Sequence, residues 1–109
     1  MRTMHIKQKF LGQIRTGEKT LEIRVGYQNI RSIQPGELIR IASSDDELNV
    51  RVIAKREYKN HLETLAHEDF HKIAPQISSE GDLLKVLCEI YPPHKEALGV
   101  IVLDIEKAS

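Results

Sequence analysis

Early in the chain the spacing of apolar positions changes at a glycine. Phe10, Leu11 and Ile14 recur at helical spacing, and Gly17 stands where a helix commonly ends on a left-handed residue. Beyond it Leu21, Ile23 and Val25 alternate with Thr20, Glu22 and Arg24, the period of a strand. This alternation predicts an apolar set facing a core and a polar set facing out. Lys19 opens the strand. Glu22 and Arg24 stand two residues apart on one face, close enough to pair with each other or to share a ligand.

Further on, residues 26–35 read as a connecting loop closed by the turn dipeptide Pro35-Gly36. Leu38, Ile39 and Ile41 mark a strand, Ser43 to Asp46 a polar turn, and Leu48, Val50, Val52 and Ala54 a second strand, which together predict a hairpin. The period turns helical from Leu62 to Ile73, and again from Asp82 to Ile90 with Leu83, Leu84, Leu87 and Ile90 on one side. Ser79 and Asp82 have capping-box spacing, and Pro92-Pro93 stops this second helix. Leu98 to Ile105 is almost continuously apolar, as expected of a strand covered on both faces.

Composition narrows the partners. The 109 residues suit a single domain spanning 1–109, with enough chain for one core and no sign of a repeat or linker. Lys and Arg number 16, as do Asp and Glu, so any nucleic acid must be held by a local basic groove rather than a global field. No apolar run is long enough to span a membrane, and Met1 to His5 carries no apolar core of a secretory signal. The one cysteine, Cys88, cannot form an internal disulfide, which fits a reducing cytoplasm.

Gly17, Lys19, Glu22 and Arg24 together form the spacing Gly-x-Lys-x-x-Glu-x-Arg, placed after a short helix and opening a strand. This resembles the signature of the ASCH domain family. The order of elements is similar over nearly the whole chain: a first strand near Met4 to Ile6, a short helix, the signature strand, further strands, a helical insert ending at Tyr91-Pro92, and a last strand from Gly99. The resemblance implies an α+β protein with a small PUA-like β-barrel of about five to six strands, short helices packed around it, and signature residues lining a cleft. It also implies association with RNA or modified nucleosides. In related amidohydrolases that act on acetylated cytidine it implies a lysine, a threonine nucleophile and a carboxylate. Lys19 matches the lysine, Glu22 occupies the threonine position, Thr20 is the nearest hydroxyl, and the carboxylate position falls near Gln76, with Glu68 and Glu80 as more distant substitutes.

Chemically, Lys19 and Arg24 suit phosphate or carbonyl oxygens, while Glu22 can accept from an exocyclic amine. Tyr27, Tyr58 and Tyr91 are the available stacking side chains, and Arg40, Arg51, Lys55, Arg56 and Lys59 add positive charge along and after the hairpin. The expected ligand is RNA or a nucleotide or nucleoside, bound by Lys19, Glu22, Arg24, Tyr27 and Tyr91 with no cofactor. The alternative is a hydrolase acting on an acylated nucleoside or on RNA, with Lys19 and Glu22 as its catalytic groups. A third reading is an interaction module. His67-Glu68-Asp69-Phe70-His71 has the form of a zinc-peptidase motif, but on a continuous helix both histidines fall opposite Leu62, Leu65, Ala66, Phe70 and Ile73. They are therefore expected to face solvent, and no metal is expected.

Overall fold

The structure, a computed structural model, describes residues 1–108. Five strands, β1 (Arg2–His5), β2 (Leu21–Val25), β3 (Leu38–Ala42), β4 (Glu47–Tyr58) and β5 (Val100–Lys107), form one sheet in the order β1-β3-β4-β5-β2. β1 pairs with β3 in parallel, and the remaining pairs are antiparallel. The sheet curls into a half-barrel whose open seam lies between its edge strands, β1 and β2. Around it pack α1 (Gln8–Thr16), α2 (Gln28–Arg31), α3 (His61–His67), α4 (Phe70–Ile73), α5 (Glu80–Ile90) and α6 (Pro93–Glu96).

The apolar run of β5 has the predicted cause. Ile101, Leu103 and Ile105 enter one core cluster with Leu11, Ile14, Ile39, Ile41, Val50 and Val52. Val100 and Val102 enter a second cluster with Leu21, Ile23, Leu65, Ile73, Leu83 and Leu87. One strand thus supplies both sides of the sheet. Local signals operate where they were read: Gly17 ends α1 at φ 85°, and the Ser79 side chain accepts from the Asp82 N–H at the start of α5.

Two segments depart from the periodicity. Within the predicted loop 26–35 lies the single turn α2, held by its own side chains. Arg31 donates to both carboxylate oxygens of Glu57 at 2.8 and 2.7 Å and to the carbonyl of Gly26 at 3.0 Å. A Cβ at Gly26 would collide with this guanidinium and with the Leu98 carbonyl, so the crossing requires glycine.

The predicted helix from Leu62 to Ile73 is broken. Glu68 is extended at φ −112°, ψ 150°, and Asp69 starts α4 by accepting from the His71 N–H at 3.0 Å. The break follows from where the Glu68 carboxylate is held: it receives Arg56 Nε at 2.6 Å, Arg56 Nη2 at 2.9 Å and the Tyr58 hydroxyl at 2.5 Å. The burial of α3 is also rotated from the expected sector. Leu62 is 67% exposed and Ala66 is exposed, whereas His61 and Thr64 are fully buried.

Candidate functional site

The signature strand places its polar groups inward, contrary to the outward facing that alternation predicts. Lys19 is 4% and Glu22 7% exposed. Such burial is tolerable because every charge has a partner. Lys19 Nζ donates to the carbonyls of Leu21 and Ile73, each at 2.6 Å, and stands 3.1 Å from Glu22 Oε1. Arg24 grips the other carboxylate oxygen, with Nε at 2.9 Å and Nη2 at 2.7 Å from Glu22 Oε2. Burial by itself raises the Glu22 carboxyl pKa, but the charges of Lys19 and Arg24 outweigh it and hold the group below its ordinary value. Arg24 is likewise held more firmly protonated: burial opposes its charge, and Glu22 more than compensates.

Arg24 also crosses the open seam of the half-barrel, its Nη2 donating to the His5 carbonyl at 2.9 Å. Its Nη1 has no protein partner among the described residues. Beside it opens a cleft of about 520 Å³. Lys19, Glu22 and Arg24 line the cleft together with Lys7 and Lys9. Its apolar walls come from Phe10 on α1, Ile73 and Ile77 around α4, and Leu83, Leu87 and Ile90 on α5. Tyr91, just past α5, also lines it, and burial raises the pKa of its phenol. A buried, well-oriented carboxylate with one spare guanidinium nitrogen, set in apolar walls, suits a flat polar ring better than a bulky anion.

Of the residues singled out in the sequence, Lys19, Glu22, Arg24 and Tyr91 lie at this cleft, and so does Gln76. Tyr27 is 47% exposed and not among the lining residues. Thr20 lines a separate hollow of about 260 Å³ with Arg15, Gly17, Lys19 and Glu106 and is not among the residues that line the cleft. Tyr58 is turned to Glu68. His67 and His71 are both exposed, His67 stacking on Tyr58 with centroids 5.7 Å apart. Among the described residues no group of three or more His, Cys, Asp or Glu side chains could hold a metal ion. The walls were missed as a site because Leu83 and Leu87 carry the ordinary signal of a core stripe. Val86 and Ile90, which also line the cleft, remain 38% and 53% exposed.

A curled five-stranded sheet ringed by short helices, with a polar cluster at its seam, is the α+β architecture of PUA-like proteins. The profile of the ASCH domain matches residues 4–109, and the chain belongs to that family. Its fold is similar to the crystal structure of the hypothetical protein PH0355, with a TM-score of 0.87 and 27% identity, covering 99% of this chain and 100% of that one. It is also similar to the solution structure of protein PF0455 from Pyrococcus furiosus, with a TM-score of 0.80, 29% identity and coverage of 99% and 97%. A mutant of ZmASCH from Zymomonas mobilis shares the fold at a TM-score of 0.68 and 12% identity, over 95% of this chain and 67% of that one. No curated protein matches the chain. In the described residues, no helix is long and apolar enough to cross a membrane.

Proposed function

We propose that residues 1–109 act as one ASCH domain that binds RNA, or a nucleotide or nucleoside, in the cleft at the β1–β2 seam. The observation that carries this reading is the Glu22 carboxylate, buried between Lys19 and Arg24 at the inner end of a largely apolar cleft. The three groups have separate roles. Lys19 spends its protons on two carbonyls and on Glu22, so it sets the carboxylate in place and is not the base of a reaction. Glu22 accepts from a base N–H. Arg24 Nη1 donates to a ring nitrogen or carbonyl. The apolar walls and Tyr91 enclose the ring, and Lys7 and Lys9 at the mouth meet phosphate.

The hydrolytic alternative is weaker on the same geometry. Thr20 lies outside the cleft, and Glu22, ion-paired on both oxygens, is a poor base. Titration of short single-stranded RNA and of nucleoside monophosphates tests binding. Arg24→Ala should weaken it about tenfold, the scale of one charge-assisted hydrogen bond. Lys7→Ala with Lys9→Ala should flatten the salt dependence of RNA binding. Wild-type protein that binds none of these ligands, or an Arg24→Ala variant that binds as well as wild type, would refute the assignment.

A further inference from the structure

We infer that the base in this cleft is read by the backbone of Ile23 as well as by side chains, which rests on the nucleotide-binding reading above. β2 is an edge strand paired on one side only, with β5. In an antiparallel pair successive residues turn their N–H and C=O alternately toward the partner and away from it. Two contacts set the phase. Thr20 O accepts from Ile105 N at 2.9 Å, and Gly26 N donates to Gly99 O at 2.9 Å, so Glu22 and Arg24 between them also turn their backbones to β5. Leu21, Ile23 and Val25 then turn theirs to the seam. The Leu21 carbonyl confirms this, since it accepts from Lys19 Nζ on that side.

Of these three, only Ile23 keeps its carbonyl free among the described residues. The Leu21 carbonyl is taken by Lys19, and the Val25 carbonyl by the Tyr27 N–H at 2.8 Å. Ile23 is also the only one of the three that lines the cleft. Its side chain enters the second core cluster, while Glu22 and Arg24, its lining neighbours, project from the other face of the strand. A cleft that touches both faces of one strand wraps around its edge. The Ile23 N–H and C=O therefore form part of its wall.

A donor and an acceptor on one residue match a ring that carries an N–H and an acceptor one carbon apart. Uracil and guanine offer this as a lactam, and cytosine and adenine as an amino group beside a ring nitrogen. An extended peptide would need several free edge residues in succession to add a strand. With the carbonyls of Leu21 and Val25 consumed, this edge supports one such pair and favours a base.

The test is nuclear magnetic resonance of the 15N-labelled protein. Without ligand, the Ile23 amide should exchange with solvent at least tenfold faster than those of Glu22 and Arg24; equal protection overturns the inference. On titration with the four ribonucleoside 5′-monophosphates, the Ile23 amide should shift and gain protection with any that binds. N3-methyluridine 5′-monophosphate, which lacks the ring N–H, should bind at least tenfold more weakly than the uridine form, and N6,N6-dimethyladenosine monophosphate more weakly than adenosine monophosphate. Binding that leaves the Ile23 amide unmoved and tolerates these methyl groups overturns this inference alone and leaves the side-chain reading standing. Protection of Leu21, Ile23 and Val25 together by an extended peptide, or no nucleotide binding at all, overturns both.

Discussion

The chain buries two carboxylates beside arginines and puts them to different uses. Glu68 receives three donors, two from Arg56 and one from the Tyr58 hydroxyl, and its side chain is 6% exposed. Three of its roughly four acceptor sites are filled, as at Glu22, but Glu68 lines neither of the two clefts described. Glu22 is equally enclosed, with a side chain 9% exposed, yet its arginine keeps Nη1 unpartnered at a 520 Å³ cleft. The difference lies in the surroundings, not in the ion pair. Arg56 extends from the long central strand β4 and has Asp104 as a further neighbour at 3.6 Å, so its charge is spent on pinning the α3–α4 corner. Arg24 extends from an edge strand and reaches across the seam to a carbonyl of β1. At the sheet edge the buried Arg–Glu pair thus lines a cleft, whereas the pair on the central strand, with both neighbouring strands present, does not.

The two clusters are also linked. The corner that Glu68 holds leads into α4, whose Ile73 carbonyl accepts from Lys19 and whose Lys72 carbonyl accepts from the Thr20 N–H at 3.0 Å. Removing each cluster's key residue should separate the roles. Lys19→Met leaves two carbonyls without their donor and removes a cation from Glu22, and it should cost about 3–5 kcal/mol in urea unfolding, the scale for breaking a buried pair. Should the variant unfold at nearly the wild-type midpoint, the cleft cluster would not be the tightly built element described above.

Glu68→Gln should cost less, about 1–2 kcal/mol, because Arg56 is 36% exposed and can turn to water. Its nucleotide affinity should fall only slightly, since the Lys19–Glu22–Arg24 triad remains. A loss of binding as large as that of Arg24→Ala would show that the corner, and not the triad, sets the cleft.

The smallest effect is on acid stability. Burial opposes the charge of both Glu22 and Glu68, and cationic partners still lower the pKa of each below the ordinary 4.5. A carboxyl with a depressed folded-state pKa contributes stability that is complete above its unfolded value and drains as pH falls through its folded value. Stability should therefore be flat for these groups above pH 4.5 and decline below it. The stability gap between wild type and Glu22→Gln should narrow on the same descent. A gap that stays constant down to pH 2.5 would mean that the Glu22 charge contributes nothing to the folded state.

Much of the scaffold was legible in the chain because its causes are local. The glycine at the end of α1, the serine cap of α5 and the alternation in β2, β3 and β4 each act through neighbours a few residues away. The continuous apolar run of β5 even announced that it would be covered on both faces. The signature spacing likewise pointed to Lys19, Glu22 and Arg24, which meet at one carboxylate. Other features were hidden because their causes are distant. The break at Glu68 depends on Arg56 and Tyr58 in another element, so a helical period could run through it unaltered. The turn α2 depends on Glu57, which lies 26 residues from Arg31.

By itself, then, the sequence determined the strands β2 to β5, the helices α1 and α5 with their stops, and which charged residues share one strand. Backbone preference and side-chain period are properties of neighbouring residues, and they survive without the rest of the fold. The tertiary structure decided that the polar face of β2 points inward, because only the closing of α4 against β2 brings the Ile73 carbonyl to Lys19 and makes its burial affordable. It also decided that β2 lies at the edge, which leaves one Arg24 guanidinium nitrogen without a partner among the described residues. Strand order is set by pairings between distant segments, and no local pattern encodes which strand will lack a neighbour.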